Sequence, residues 1–308
     1  MKVLFISSAN KASGISPIVN NQGESFLEFD LKVDYYPIVG KGLKGYLLNI
    51  LPLRRKIKSE NYFVLHAHNS FSGMLTSIAC PFHKRVFVSL MGSFYKTTAK
   101  YYIIKLFAFF LWHKVIVKST RMSKQINLEN SVIIPNGVQI SKYLRSNERE
   151  LIRKELGFED HIKYIIFIGD IFHPNKNYKL CEDALRILNA DNVKLVPVFN
   201  KSHQEVIKYQ IAADVLMLTS FLEGSPNVIK EAMAACCPIV ATDVGDVRYV
   251  IGSIDGCYVL DSFSPHEAAE KLVKALAFNQ RTDGLNVLKE KGLDANSVAE
   301  KIINLYSS

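Results

Sequence analysis

Short apolar runs of strand length alternate with longer stretches whose apolar residues recur at helical spacing, and this alternation occurs twice along the chain. In the first half, residues 3–7, 33–38, 62–65, 85–90, 115–117 and 132–134 read as strands. A loop of small and polar residues over 8–16 contains Gly14, and a helix is predicted from Pro17. The turn signal Pro135-Asn136-Gly137 closes this half. The second half restarts with a helix over 151–156, then strands over 164–168, 193–199, 215–219 and 239–242, with helices over 178–189 and 205–212 between them. Such alternation predicts right-handed βαβ units on parallel sheets. The fold class expected is α/β, with two Rossmann-like domains whose parallel sheets face a central cleft. The predicted domains are 1–138 and 139–294, and the amphipathic tail 295–308 is expected to pack back on the first.

The stretch SFLEGSPNVIKEAMAACCPIVATDVGDVRYV, residues 220–250, carries the clearest chemistry. Gly224, Ser225 as a predicted N-cap and Pro226 in the first helical position mark a helix start. Val228, Ile229, Ala232, Met233 and Ala235 give that helix an apolar face, and it ends before Pro238. A helix start at the end of a strand binds anions, phosphate above all. Glu223 and Glu231 flank it and repel phosphate, so they are expected to meet neutral hydroxyls nearby. Phosphate and hydroxyls together suggest a nucleotide, a sugar, or both joined.

Composition narrows the setting. The 308 residues suffice for two cores, and 48% apolar with 22% charged residues is the balance of a globular protein. Five cysteines without CxxC spacing give neither a disulfide framework nor a zinc site, which fits a cytoplasmic protein. The opening apolar run is too short for a signal peptide, and no stretch has the length of a transmembrane helix. The net charge of +9 is uneven: residues 1–140 hold 18 Lys and Arg against 6 Asp and Glu, whereas residues 141–308 hold 20 against 23. A basic first half suits an anionic surface such as membrane phospholipid or a lipid-linked phosphate, or serves solubility alone. Nucleic acid is supported by charge only, with no recognition motif. The run YYIIKLFAFFLW, residues 101–112, has the length of a buried helix, with an interfacial helix touching lipid as the alternative; Lys96, Lys100, Lys114 and Lys118 surround it.

Two further features invite chemistry. Gly40-Lys41-Gly42-Leu43-Lys44-Gly45 matches G-x-G-x-x-G, but it follows the second strand rather than the first, so a flexible loop is expected over a dinucleotide site. His66 and His68 fall where the strand 62–65 is predicted to end, a position at which parallel sheets bind ligands, and His68 is the better candidate.

These residues resemble the retaining glycosyltransferases of family 4, which have the GT-B fold. The family's two glutamates separated by seven residues are similar to EGSPNVIKE, from Glu223 to Glu231, followed by EAMA, PIVAT and DVG. Residues 132–138, VIIPNGV, look like the family's domain-joining segment, and Ala213-Asp214-Val215 like its strand entry. Residues 14–25 and Ser89-Leu90-Met91-Gly92-Ser93 resemble a bacterial branch that assembles polysaccharides. The resemblance implies that Glu231 holds the ribose of a nucleotide-sugar donor and that Glu223, as the catalytic residue, faces the donor sugar. It implies that Gly224, Ser225, Pro226, Asn227 and Val228 line the sugar and diphosphate, and that Lys176 neutralises the diphosphate. Gly14 and His68 would lie near the acceptor or a phosphate.

Departures from the family pattern stand at Gly169-Asp170, where Gly-Arg is common, at Met91 and Phe94, where a histidine and an aspartate are common, and at Cys236-Cys237, in place of the glycine before the motif's proline. The segment 193–213 is shorter than usual, with Phe199 as a candidate to stack on the base. The chain contains no Asp-x-Asp, so neither a metal nor another cofactor is expected. The expected partners are a nucleotide sugar, a lipid-linked or saccharide acceptor and an anionic membrane surface, with no nucleic acid. The expected place is the cytoplasm, peripheral on the inner face of the membrane. A non-catalytic partner subunit and a sugar-nucleotide epimerase are the alternatives.

Overall fold

The computed structural model describes residues 2–10, 14–40, 42–80, 85–91, 99–143 and 148–307. The chain divides into two compact units: residues 1–137 together with 295–308, and residues 138–294. Each is a parallel α/β sheet with helices on both faces, the α/β class expected from the sequence.

In the first unit the strands are β1 (Lys2–Ser8), β2 (Lys32–Ile38), β3 (Val64–His68), β4 (Val86–Ser89), β5 (Lys114–Val117) and β6 (Ser131–Ile133). They lie parallel in the order β2-β1-β3-β4-β5-β6. The helices are α1 (Pro17–Leu27), α2 (Gly42–Leu48), α3 (Ile50–Ser59), α4 (Ser70–Ala79), α5 (Ala99–Phe110) and α6 (Thr120–Ile126). Strand alternation builds two cores. Leu4 and Ile6 of β1 join a core with Leu53 and Ile57 of α3, Leu75 of α4 and Ile104 of α5. Val3 and Phe5 point the other way, into a core with Phe26 of α1 and with Val298, Ile302 and Tyr306 near the end of the chain.

Two expectations change here. The first concerns G-x-G-x-x-G, which is not an open loop: Gly42 begins α2, and the other two glycines allow a backbone contact. A Cβ on Gly45 would lie 2.3 Å from the carbonyl carbon of Gly40, whose φ is +121°. Asn10 fixes the turn, accepting from Gly40 N (2.8 Å) and donating to Gly40 O (2.7 Å). The second concerns residues 101–112, which are not a helix buried all round. Helix α5 buries Tyr101, Ile104 and Ala108 and exposes Tyr102, Ile103, Leu106, Phe109 and Phe110. One strip at i, i+3 and i+7 suffices to cover the sheet, and the opposite side stays apolar without a partner layer.

The second unit contains α7 (Arg149–Glu155), β7 (Lys163–Ile168), α8 (Tyr178–Leu188), β8 (Val193–Val198), α9 (His203–Ala212), β9 (Val215–Leu218) and α10 (Asn227–Ala234). It continues with β10 (Ile239–Thr242), α11 (Val247–Ile251), β11 (Cys257–Leu260), α12 (Pro265–Phe278) and α13 (Gly284–Glu290). The strands run parallel in the order β11-β10-β9-β7-β8. Helices α8 and α12 cover one face through Leu180, Ala184, Ala268 and Leu272, while α9, α10 and α13 cover the other through Ile211, Ile229, Met233 and Leu288. At the amino ends of the strands Asp214 accepts from Arg149 Nη2 (2.9 Å), Arg153 Nη1 (3.2 Å) and Tyr164 N (2.8 Å), which ties α7 to the sheet. Cys236, at φ +54°, occupies the left-handed position that ends α10, where a glycine is usual.

The last helix, α14 (Ala295–Ser307), belongs to the first unit and packs on α1. Ile302 is fully buried there. Ile302→Ala is expected to cost about 2–5 kcal/mol. The check is the urea midpoint of the first unit's unfolding, which should fall; an unchanged midpoint would show that α14 does not help hold this unit together.

Candidate functional site

The residues singled out in the second half converge at the carboxyl ends of β7, β9 and β10. After β7 the chain turns through Gly169 (φ +147°) into a loop that ends in a single 3-10 turn, Pro174–Lys176. His173 caps that turn, its Nδ1 accepting from Asn175 N at 3.2 Å. After β9 the loop 219–226 leads to α10. The two loops are laced together: Phe221 N donates to Asn175 O (2.9 Å), Asn175 Nδ2 to Leu222 O (2.9 Å), and Thr219 Oγ1 to Lys176 O (2.9 Å).

The lacing sets Lys176 against Glu223. Lys176 Nζ donates to Glu223 Oε1 at 2.7 Å, and Ser220 Oγ donates to the same oxygen at 2.8 Å. A Cβ on Gly169 would only touch Lys176 Cε, at an ordinary contact distance of 3.4 Å, so it is the backbone angle, φ +147°, that calls for glycine there. Asp170, at the position where the family resemblance leads one to expect an arginine, turns its carboxylate onto its own loop, Oδ1 accepting from Phe172 N at 2.9 Å.

Helix α10 begins at Asn227 with Pro226 in the capping position and no side-chain cap, one residue later than the sequence suggests. Ser225 is not the cap because its hydroxyl is used elsewhere. Its Oγ donates to Asp246 Oδ2 (2.6 Å) and accepts from Lys230 Nζ (3.1 Å). Lys230 is only 1% exposed, and burial draws its ammonium down to about 8 against the opposing pull of Asp246 and Glu231. Burial also pushes the Asp246 carboxyl up, opposed by Lys230 and by the Ser225 hydroxyl. Gly224 meets the loop after β10 at close range: Gly245 lies at φ +61°, and a Cβ there would be 2.6 Å from Gly224 O.

Glu231 lies one turn into α10, with its side chain 16% exposed. Its Oε1 faces His203 Nε2 (3.3 Å) and its Oε2 faces Gln210 Nε2 (3.4 Å). Both partners come from α9, whose start is fixed by a capping box between Ser202 and Glu205. The carboxylate is thus oriented from behind by buried Gln210 and half-buried His203. Phe199 is half-buried just past the end of β8.

Sequence reasoning finds Lys176, Glu223, Gly224, Ser225, Pro226, Asn227, Val228 and Glu231, and the structure gathers them around one helix start. It misses His203, Gln210, Lys230 and Asp246. Lys230 carries the one available signal, a cation inside an otherwise apolar helical strip.

Gly14 and His68 lie in the first unit. Gly14 has φ +69°, and residues 11–13 before it fall outside the described residues. His68 does not stand beyond the strand as predicted, because β3 extends to it and both histidines are buried. His66 is bonded to Tyr306 Oη and, through Nε2, to Ser89 Oγ (2.9 Å), while His68 stacks on it at 4.4 Å. Burial, with Lys118 adding to it, lowers His68 to about 3, so its ring is neutral. Among the described residues neither ring nitrogen of His68 has a hydrogen-bond partner. Met91 follows β4, whereas Phe94 and Lys96 are outside the described residues. Among the described residues no group of three or more His, Cys, Asp or Glu is arranged to hold a metal. A cavity of about 180 Å³ lined by Arg149, Lys163, Asp214 and Arg281 lies at the amino ends of the second sheet, opposite the gathered residues.

The close contact at Gly245 makes a test of this geometry. Gly245→Ala is expected to destabilise the chain by at least about 1 kcal/mol, because a left-handed backbone costs an L residue that much before the clash is added. Thermal unfolding with the wild-type midpoint would contradict the packing described.

Residues 190–277 match the family model "Glycosyl transferases group 1". The chain is 27% identical over 146 residues to the putative teichuronic acid biosynthesis glycosyltransferase TuaC of Bacillus subtilis, a match covering 42% of this chain and 38% of that protein. It is 22% identical over 318 residues to the UDP-Gal:alpha-D-GlcNAc-diphosphoundecaprenol alpha-1,3-galactosyltransferase of Escherichia coli, covering 84% of this chain and 78% of that one. Among solved structures, Anabaena HepE in complex with UDP and glucose superposes with a TM-score of 0.78 at 16% identity, over 100% of both chains.

Proposed function

From these matches, which support the group 1 glycosyltransferases of GT-B type as the family of this chain, we propose that it is a hexosyltransferase of the retaining family 4. It moves a sugar from a nucleotide-diphosphate sugar to an acceptor hydroxyl. The acceptor is a lipid-linked saccharide used in cell-surface polysaccharide synthesis, and the reaction takes place on the cytoplasmic side of a membrane. The observation that carries the reading is the gathering of Lys176, Glu223 and Glu231 around the start of α10, a cation and two oriented carboxylates at an anion-binding helix end. UDP is the nucleotide favoured by two similar proteins, one named for a UDP-Gal donor and one solved with UDP, and the diphosphoundecaprenol acceptor of the first favours the lipid link.

In this reading the bond between the anomeric carbon and the diphosphate oxygen breaks, and a bond from that carbon to the acceptor oxygen forms on the same face. The acceptor's proton passes to the leaving phosphate. The barrier lies in separating a diphosphate anion from an oxocarbenium-like sugar, so catalysis consists of stabilising the departing charge. Lys176 does this together with the amides at the start of α10, and no metal or other cofactor is assigned a part. Glu231 accepts from the ribose hydroxyls, and His203 and Gln210 hold its orientation. Glu223 accepts from the donor sugar's hydroxyls, while Ser220 keeps its carboxylate in place when Lys176 turns to the diphosphate.

Lys176→Ala and Glu231→Ala are each expected to reduce transfer by at least about 100-fold, the size of effect seen when one preorganised charge partner is removed. Their far-ultraviolet circular dichroism and melting temperature should remain near wild type. Near-normal turnover by either variant would overturn the assignment. One alternative has its own support: Asp170 in place of the second cation suits a partner subunit of the same fold that binds without turnover. Wild-type protein that is stabilised by a nucleotide sugar yet never consumes it would select that alternative.

A further inference from the structure

Helices α2, α3, α4 and α5 of the first unit turn one side to a common core. Leu53, Ile57, Leu75, Ala79, Ile104 and Ala108 all enter it. The outward sides of the same helices are not polar. In α2, Leu43 is 72% exposed, and Leu47 and Leu48 beside it are exposed as well. Leu51 of α3 and Phe71 of α4 continue the surface, and α5 adds Phe109 at 77% and Phe110 at 69%. The helices form one layer. Both α2 and α3 pack on α4, the rings of Tyr46 and Phe71 lie 5.7 Å apart, and Lys100 Nζ of α5 stands 5.0 Å over the Phe71 ring. Exposed apolar surface of this extent marks a site of interaction.

The charge on this layer identifies what covers it. The four helices contain seven Lys and Arg and no Asp or Glu. Exposed Lys44, Arg54, Arg55, Lys58 and Lys100 stand among the apolar side chains. A second copy of the chain would bring the same positive charge to the contact and be repelled. An anionic bilayer offers acyl chains to the phenylalanines and leucines and phosphates to the lysines and arginines, the pairing by which interfacial helices bind. Long basic side chains suit that geometry, because their stems lie along apolar surface while their heads reach the headgroups.

We infer that the outer face of α2–α5 is a membrane-docking surface that seats on anionic phospholipid, with Phe109 and Phe110 entering the acyl boundary. Among the described residues no helix is long and apolar enough to cross a membrane, so contact through this face is in-plane. The inference rests on the surface alone and holds or fails independently of the sugar-transfer reaction.

The test is co-sedimentation of the full chain with vesicles of phosphatidylglycerol and phosphatidylcholine, against vesicles of phosphatidylcholine alone, at about 0.1 M and about 1 M salt, where the screening length falls from about 10 Å to about 3 Å. Binding is expected to the anionic vesicles at low salt, with at least a tenfold loss on neutral vesicles or at high salt, an order of magnitude set by headgroup attraction. Phe109→Glu with Phe110→Glu is expected to cut partitioning by about tenfold or more at an unchanged melting temperature, since both rings are solvent-exposed. Arg54→Gln with Arg55→Gln, which leaves the apolar side chains in place, is expected to weaken binding and flatten its salt dependence. Equal binding to neutral vesicles, or binding unchanged by both variants, would overturn the inference. So would self-association, seen by sedimentation velocity, that the phenylalanine variant abolishes while neither protein binds vesicles.

Discussion

The 2.7 Å contact between Lys176 and Glu223 is the interaction on which the second unit's site depends. It joins the loop after β7 to the loop after β9, and a backbone bond from Phe221 N, with side-chain-to-backbone bonds from Asn175 Nδ2 and Thr219 Oγ1, fixes the two loops around it. The side chains are 28% and 20% exposed, so the pair is partly desolvated and its attraction is offset by what each charge loses on leaving water. In the proposed chemistry a diphosphate takes over the lysine, and Ser220 still donates to the carboxylate that the lysine leaves. Three further hydrogen bonds, from Phe221 N, Asn175 Nδ2 and Thr219 Oγ1, hold the loops together beside this pair.

Around that contact the unit places its less replaceable parts deeper. Buried Lys230 joins half-buried Ser225 and Asp246 in a polar cluster beneath the helix start. Gly245 against Gly224 is a backbone contact that no side chain can enter. His203 and Gln210 set Glu231 from α9. The cluster shapes the loop, the glycines let it close, and α9 aims one carboxylate.

Much of this was legible in the sequence, for reasons that differ by element. The strands of both sheets were readable because parallel strands buried on both faces are nearly continuous apolar runs. Glu223 and Glu231 were readable from their places on either side of a helix start, whereas Lys176 was reached only through the family resemblance. The exact start of α10 was not, since Ser225 is a good cap whose hydroxyl happens to be claimed by Asp246, 21 residues away. His203 and Gln210 lie 28 and 21 residues from Glu231, and only the fold brings them to it. His66 and His68 look polar in sequence, yet β3 carries them into a buried layer with Ser89, Phe5 and Tyr306, the last supplied by the end of the chain. The run 101–112 showed its apolarity but not which side meets the sheet, because it lacks the polar stripe that would reveal it.

The measurement that bears most directly on the account is release of nucleoside diphosphate from a panel of nucleotide sugars, with and without a lipid-linked saccharide acceptor. The account predicts that at least one donor stabilises the chain against heat and is consumed only when the acceptor is present. Failure of every donor both to stabilise the protein and to be consumed would contradict it.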